Sequence, residues 1–287
     1  MRCACIDIGS NTTRLLVADV VQAKPVTSPL GRGQRVLTEV AGEKAFTRLG
    51  SALRRTGALP AASLATLAET VAVQGAVAHS MGAERVRVVA TAAIRAASNA
   101  PALVDAVKAR SGLTVEELDG REEARLAFVG ATHGREWRGV VAVVDVGGGS
   151  TEIAIGEPGA GVRWAASVPV GSSSLTDAGH ALGHGAAQAF AGLQPPPVQT
   201  ALAVGGSAAS TSRLVGARID AASARAALRL REAGGVHGIE PERVRLLPAG
   251  LAILVAVSEL LGLPLTVGRG GLREGICLEL AGSTTDG

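Results

Sequence analysis

One string of residues occurs twice in this chain, and few folds accommodate the repetition. The first copy runs Ile6-Asp7-Ile8-Gly9-Ser10-Asn11-Thr12-Thr13-Arg14-Leu15-Leu16-Val17. The second runs Val144-Asp145-Val146-Gly147-Gly148-Gly149-Ser150-Thr151-Glu152-Ile153-Ala154-Ile155. Each is an apolar strand ending in Asp, a Gly two residues later, small polar residues, and a second apolar strand, which is hairpin punctuation. Successive backbone N–H groups in such a tip, helped by hydroxyls, form a concave nest for an anion. Here the nests comprise Asp7, Gly9, Ser10, Asn11 and Thr12 in one copy and Gly147, Gly148, Gly149, Ser150 and Thr151 in the other. The Asp at the strand end can hold a cation or a water beside the nest. A turn alone has no need of a shared Asp-x-Gly. The repeat therefore reads as a duplication whose two halves build one phosphate cleft.

The 287 residues suffice for two moderate domains with real cores. Hydrophobic content of 47% against 18% charged residues excludes a disordered chain. A strand pattern begins at Arg2, so no secretory signal is read at the start. The most membrane-like stretch, Leu246 to Leu265, contains Pro248, Gly250, Glu259 and Pro264 and reads as a buried core helix. Cys3, Cys5 and Cys277 have no metal spacing, and Cys3 and Cys5 share one strand face, as expected in a reducing cytoplasm. Lys24, Lys44 and Lys108 are the only lysines, so most of the positive charge sits on arginine forks suited to phosphate oxygens. Aromatic residues are scarce and tyrosine is absent, which argues against stacking of nucleic-acid bases.

Strands and helices alternate along the chain. A hairpin over 2–21 is followed by a third extended segment at 34–40. Ser63–Met81 has helical spacing, Arg85–Ala90 a buried strand, and a helix runs from about Gly120 to His133. The pattern restarts near Gly139. It continues through a strand at 162–170, a Gly/Ala-rich stretch with few structural signals at 171–197, and a strand ending in Gly205-Gly206-Ser207. Helices at about 221–232 and 247–261 follow, and a last one begins at Leu272. This is the α/β layered class, built as two duplicated halves over 1–128 and 129–287, with the last helix placed to pack back on the first half.

Three acidic residues stand out. Asp119 and Glu122 have capping-box spacing, which gives Glu122 a structural task. Glu123 points about 100° away from it around the helix. A carboxylate beside bound phosphate is electrostatically costly and usually serves as a base or a metal ligand. Asp145 and Glu152 lie on the two arms of the second hairpin, where both can approach one Mg²⁺, which takes one or two protein carboxylates when it binds phosphates. The first copy has Arg14 where the second has Glu152, so the nests differ chemically. His180 and His184 are four apart, a metal-capable spacing without a third ligand.

The two nests, Thr91-Ala92-Ala93-Ile94-Arg95, Gly120-Arg121-Glu122-Glu123-Ala124-Arg125, Gly205-Gly206-Ser207 and Gly270-Gly271-Leu272-Arg273-Glu274-Gly275 occur in an order that resembles the exopolyphosphatase / guanosine pentaphosphate phosphatase family. That family lies within the actin-like, sugar-kinase-like superfamily of duplicated, ribonuclease H-like domains around a cleft. The resemblance implies Mg²⁺-dependent hydrolysis of terminal phosphoanhydrides. Glu123 would activate water, Arg95 contact the phosphate chain, Asp145 and Glu152 hold the metal, and the nests with Gly205, Gly206 and Ser207 grip phosphate. The family usually has an acidic residue where this chain has Ala96, and the 177–197 segment looks shortened. Short inorganic polyphosphate is the expected substrate. Guanosine pentaphosphate hydrolysis and non-catalytic binding of alarmone or polyphosphate are the alternatives. No nucleic-acid polymer or membrane is expected as a partner, and a homodimer is left open.

Overall fold

A computed structural model describes residues 1–22, 35–179 and 181–283 of the chain. The first half comprises β1 (Arg2–Ile8), β2 (Thr12–Gln22), β3 (Arg35–Phe46), α1 (Leu49–Thr56), α2 (Ala61–Ser80), β4 (Arg85–Ala90), α3 (Ala92–Arg95), α4 (Ala100–Ser111), β5 (Val115–Glu117) and α5 (Gly120–Thr132). The second comprises β6 (Val141–Val146), β7 (Thr151–Glu157), β8 (Gly161–Val168), α6 (Ser172–Asp177), α7 (Leu182–Phe190), β9 (Thr200–Val204), α8 (Gly205–Val215), β10 (Arg218–Ile219), α9 (Ala221–Glu232), α10 (Pro241–Leu261), β11 (Leu265–Val267) and α11 (Leu272–Gly282).

The duplication is exact at the level of topology. One sheet has the order β3-β2-β1-β4-β5, and the other has β8-β7-β6-β9-β11 with β10 added at its edge. In each, the first three strands form an antiparallel meander and the remaining two join in parallel beside the first strand. The hairpin registers match residue for residue. Asp7 lies opposite Arg14, and Asp145 opposite Glu152. Two units of like strand order match the duplicated α/β layers expected from the sequence. The alternation of apolar residues places Ile6, Ile8, Leu15 and Val17 in one core and Val144, Val146, Ile153 and Ile155 in the other.

Each sheet borrows a helix from the other half of the chain. α11 lies on β1, β2 and β3, burying Leu272, Ile276, Cys277 and Leu278 against Cys3, Cys5, Leu16 and Ala18. α5 lies on β6, β7 and β8, with Ala124, Phe128 and Ala131 against Val141, Val143 and Ala154. The two helices also cross each other through glycines. A Cβ on Gly130 would stand 1.9 Å from the Gly271 carbonyl oxygen, and one on Gly275 would stand 2.0 Å from that of Leu126. The chain position 128/129 thus falls inside α5, and the two halves are knitted by this exchange.

Three local expectations change in three dimensions. The third strand extends to Phe46, with the register shift between Val17 and Ala18. The stretch at 171–197 contains α6 and α7, whose Leu175, Ala186 and Phe190 reach the second core despite the many Gly and Ala residues. α10 begins at Pro241, six residues before its apolar pattern starts, because a proline fits the first turn of a helix. From Leu246 onward α10 presents a core face, with Leu246, Leu247, Leu251, Ile253, Leu254 and Val257 buried. His180 lies outside the described residues, so the His180/His184 pair is not placed.

Gly130→Ala should cost about 3 kcal/mol, the upper end for overpacking, because its new methyl meets backbone that cannot rotate away. Gly183→Ala on α7 meets nothing within 4 Å and should be neutral or slightly stabilising. Urea unfolding of the two variants checks the contrast, and equal midpoints would remove the helix crossing as a constraint.

Candidate active site

A cavity of about 290 Å³ opens between the halves. Its walls include Asp7, Gly9, Ser10, Asn11, Thr12, Asp145, Gly147, Gly148, Ser150, Glu152, Gly205 and Gly206, all singled out above, together with Glu123. The two hairpin tips touch at its rim. A Cβ on Gly149 would lie 2.4 Å from Ser10 Oγ, so the tips are close enough that a larger residue there would have to displace that hydroxyl.

Glu123 enters the cavity because Asp119 starts α5. The Asp119 carboxylate accepts from the N–H groups of Arg121 and Glu122 at 2.8 Å and caps the helix. Glu122 turns to Arg125 instead of completing the box, at 2.7 and 2.6 Å. Glu123, one position on, is 9% exposed and faces the second sheet. Burial and the neighbouring Glu152 charge push its pKa well above the usual range, opposed by Arg95.

Arg95 is not where the resemblance puts it. Its Nη1 donates to Glu123 Oε2 at 2.9 Å and to the Leu118 carbonyl at 2.6 Å, and it does not line the cavity. The short helix α3 leaves its guanidinium beside α5, where the carboxylate is the nearest anion. Arg95 therefore orients Glu123 in this structure. Two other expected phosphate contacts are structural here. Thr151 is fully buried and donates to the Val170 carbonyl at 2.7 Å, and Ser207 donates to that of Val146 at 3.4 Å.

Asp145 and Glu152 face each other across β6 and β7. Burial raises Asp145 to about 6, helped by the charges of Asp7 and Glu274 against those of Arg14 and Arg273. Burial raises Glu152 to about 7, with Asp145 adding to it; hydrogen bonds from Ser150 and Ser167 and the Arg95 charge oppose the rise. Ser167 Oγ donates to Glu152 Oε1 at 2.8 Å. Gly205 adopts a left-handed φ of 80°, and a Cβ there would meet Asp145 Oδ1 at 2.2 Å, so that glycine makes room for the carboxylate. Across the cavity, Asp7 is raised by burial and its Oδ1 has no hydrogen-bond partner. Two facing carboxylates, with an orphaned third carboxylate oxygen across the cavity, fit a hard cation completed by phosphate oxygens and water. They do not form an all-protein cage: no cluster of three or more candidate metal ligands occurs among the described residues.

Three arginines that the sequence reading assigned no phosphate role also line the cavity. Arg14 and Arg273 come from β2 and α11, and Arg243 from the first turn of α10. Arg14 Nε has no hydrogen-bond partner. Burial lowers the pKa of Arg14, with Arg273 and Arg243 adding like-charge repulsion. Burial also lowers Arg243, whose acidic neighbours Glu240, Asp145 and Glu242 oppose the shift through space. Its guanidinium packs on Gly206, where a Cβ would lie 2.1 Å from Nη1. Clustered guanidinium groups with spare donors are a ready anion site. The Pro241-Glu242 helix start was the signal that could have found Arg243, since it moves the α10 boundary back over that residue.

The model of the Ppx/GppA phosphatase family matches residues 29–192. The chain belongs to that family. The crystal structure of the Aquifex aeolicus Ppx/GppA family member superposes with a TM-score of 0.81 at 25% identity, covering 100% of this chain and 99% of that one. Exopolyphosphatase 1 of Mycobacterium tuberculosis (strain CDC 1551 / Oshkosh) is 31% identical over 180 residues, 61% of this chain and 48% of that protein. The guanosine-5'-triphosphate,3'-diphosphate pyrophosphatase of Aliivibrio fischeri (strain MJ11) is 27% identical over 302 residues, 96% of this chain and 58% of that protein. The Ppx/GppA chain thus spans about half the length of the curated relatives it matches.

The raised carboxylates set a pH dependence of stability. Asp145 and Glu152 hold their protons in the folded state above the pH at which the unfolded chain releases them. Folding then binds protons, and stability falls as pH rises from about 4 to about 7. In chelator-treated protein, Asp145→Asn should flatten this slope. Thermal unfolding at pH 5 and pH 7.5 measures it; an unchanged slope in the variant would show that Asp145 does not titrate in this window.

Proposed function

We propose that this protein hydrolyses the terminal phosphoanhydride of inorganic polyphosphate and releases orthophosphate. The observation that carries the reading is a buried carboxylate, Glu123, held by Arg95 in a cavity whose other walls are two anion nests and three arginines. A phosphate-binding pocket gains nothing from a fixed carboxylate unless that group handles a proton or a cation.

In this mechanism the nest N–H groups hold the terminal phosphoryl, and Arg14, Arg243 and Arg273 neutralise the phosphates behind it. Glu123, its pKa raised by burial and the neighbouring Glu152 charge, orients a water and takes its proton as the oxygen attacks phosphorus in line. The proton moves to a Glu123 carboxylate oxygen, and the shortened chain leaves with the electrons of the broken P–O bond. Mg²⁺, if held by Asp145 and Glu152, supplies charge neutralisation on the transferred phosphoryl and the leaving oxygen. Among the described residues the cavity wall carries eight ionisable side chains: Asp7, Glu123, Asp145, Glu152 and Glu274 against Arg14, Arg243 and Arg273. The excess of acids is a physical reason for a divalent cation when a polyanion enters. The three buried, free cysteines accord with a reducing cytoplasmic setting.

The second reading, hydrolysis of guanosine pentaphosphate, is favoured by the Aliivibrio fischeri relative, whose match spans 96% of this chain. The cavity supplies the argument for polyphosphate over it. Among the described residues no aromatic side chain lines the cavity, so a guanine has no ring of theirs to stack on there.

Purified protein with Mg²⁺ should release orthophosphate from tripolyphosphate, long-chain polyphosphate or both, and faster than from guanosine pentaphosphate. No release from any of them would sink the hydrolase reading. Glu123→Gln should lower kcat by at least 10²-fold, the low end for a lost general base, while substrate binding persists. Arg95→Met should shift the acid limb of kcat against pH to higher pH, because the arginine charge holds the Glu123 pKa down. A limb that stays in place would assign it to another group.

A further inference from the structure

The two nests are held from behind in the same way. At the first tip, the N–H groups of Thr47 and Arg48 donate to the Asn11 carbonyl at 3.1 and 3.0 Å, and that of Gly50 donates to Ser10 at 2.8 Å. These are the opening residues of α1. At the second tip, Ser172 N donates to the Gly147 carbonyl at 2.9 Å, and Ser173 and Ser174 donate to that of Gly148 at 2.9 and 3.0 Å. These open α6. Each helix follows the third strand of its meander, so α1 and α6 are repeat equivalents. The approach is close: a Cβ on Gly171 would stand 2.5 Å from the Gly148 carbonyl carbon. Arg48 takes a left-handed φ of 49°, the one non-glycine residue with positive φ among those described. Backbone strain of that kind persists only where the surroundings hold it.

α1 and α6 also touch each other. Arg54 of α1 pairs with Asp177 at the last residue of α6, and Arg245 of α10 reaches the same carboxylate at 3.6 Å. Lys44 of β3 adds a second bridge between the halves, to Glu240 at 2.5 Å. The glycine crossing of α5 and α11 joins the halves elsewhere, on the faces of the two sheets that α1 and α6 do not cover.

We infer that Arg54 and Asp177 are positioning residues: their ion pair straps α1 to α6 and so sets the separation of the two nests, and with it the closure of the cavity on phosphate. Each helix carries its nest rigidly through backbone hydrogen bonds, so motion of α1 against α6 is motion of one nest against the other. Both side chains are about one-third exposed. Such pairs add little to the stability of a fold. They weigh more in an equilibrium between two arrangements of otherwise intact halves, where a modest change shifts the populations several-fold. The strap also predicts a salt effect, since exposed pairs are screened.

The catalytic part of this inference rests on the polyphosphatase reading, and the structural part does not. The three native cysteines are buried, so spin labels can be placed on the exposed Thr66→Cys on α2 and Glu259→Cys on α10. Arg54→Glu should lengthen and broaden the label distance distribution, Arg54→Lys should leave it as in the parent, and added salt should move the parent toward Arg54→Glu. With tripolyphosphate, Arg54→Glu should raise KM about fivefold, an effect the size of one exposed pair, with unfolding midpoint unchanged and Arg54→Lys near normal. One distribution common to all three proteins, independent of salt, would overturn the strap. A distribution that responds while no substrate is hydrolysed would keep the strap and reject the polyphosphatase.

Discussion

The structure depends on a contact between two backbones. α5 and α11, the repeat-equivalent helices that follow the last strand of each sheet's shared order, cross where Gly130, Gly270 and Gly275 leave no room for side chains. Because each helix packs on the opposite sheet, the crossing holds the two halves in fixed apposition on one side. It also delivers chemistry. The start of α5 carries Glu123 toward the second hairpin, and the start of α11 carries Arg273 and Glu274 toward the first. Dispersion and hydrogen bonding at such short range are lost steeply when a methyl intrudes, which is why the small residues concentrate there.

From that apposition the cavity follows. Two equivalent hairpins face each other, and the register places one acidic and one basic residue in the first, two acids in the second. Desolvation then acts on all of them. It raises Asp7, Asp145, Glu152 and Glu123 and lowers Arg14 and Arg243. Every shift favours the neutral form of a buried charge, so gathering these groups in one cavity is electrostatically costly. A phosphate chain with a divalent cation relieves both signs at once. The side chains with spare capacity, Asp7 Oδ1 and Arg14 Nε, are the ones such a ligand would satisfy.

Much of this was legible in the sequence. The doubled Asp-x-Gly string predicted two hairpins in matching register, and apolar alternation assigned their cores. Glu123, Asp145 and Glu152 were found because carboxylates near a phosphate nest are unusual. Arg95 was placed on the phosphate by resemblance, whereas its guanidinium lies against Glu123, since the nearest anion is decided by how α3 sits beside α5. Thr151 and Ser207 looked like ligands because hydroxyls in glycine turns often are; their bonds to Val170 and Val146 carbonyls depend on strands distant in the chain. Arg243 was missed because the start of α10 is polar and carries no apolar period.

The sequence by itself determined the duplicated α/β order and the difference between Arg14 and Glu152, because strand alternation and hairpin pairing are local consequences of residue type. Tertiary structure alone decided the helix exchange, the convergence of three arginines, and the mirrored grip of α1 and α6 on the two nests. Those are contacts between residues tens to hundreds of positions apart. The exchange and the convergence are set by how two separately patterned halves fit together, and the grip by how each half folds back on its own hairpin; no local spacing encodes either.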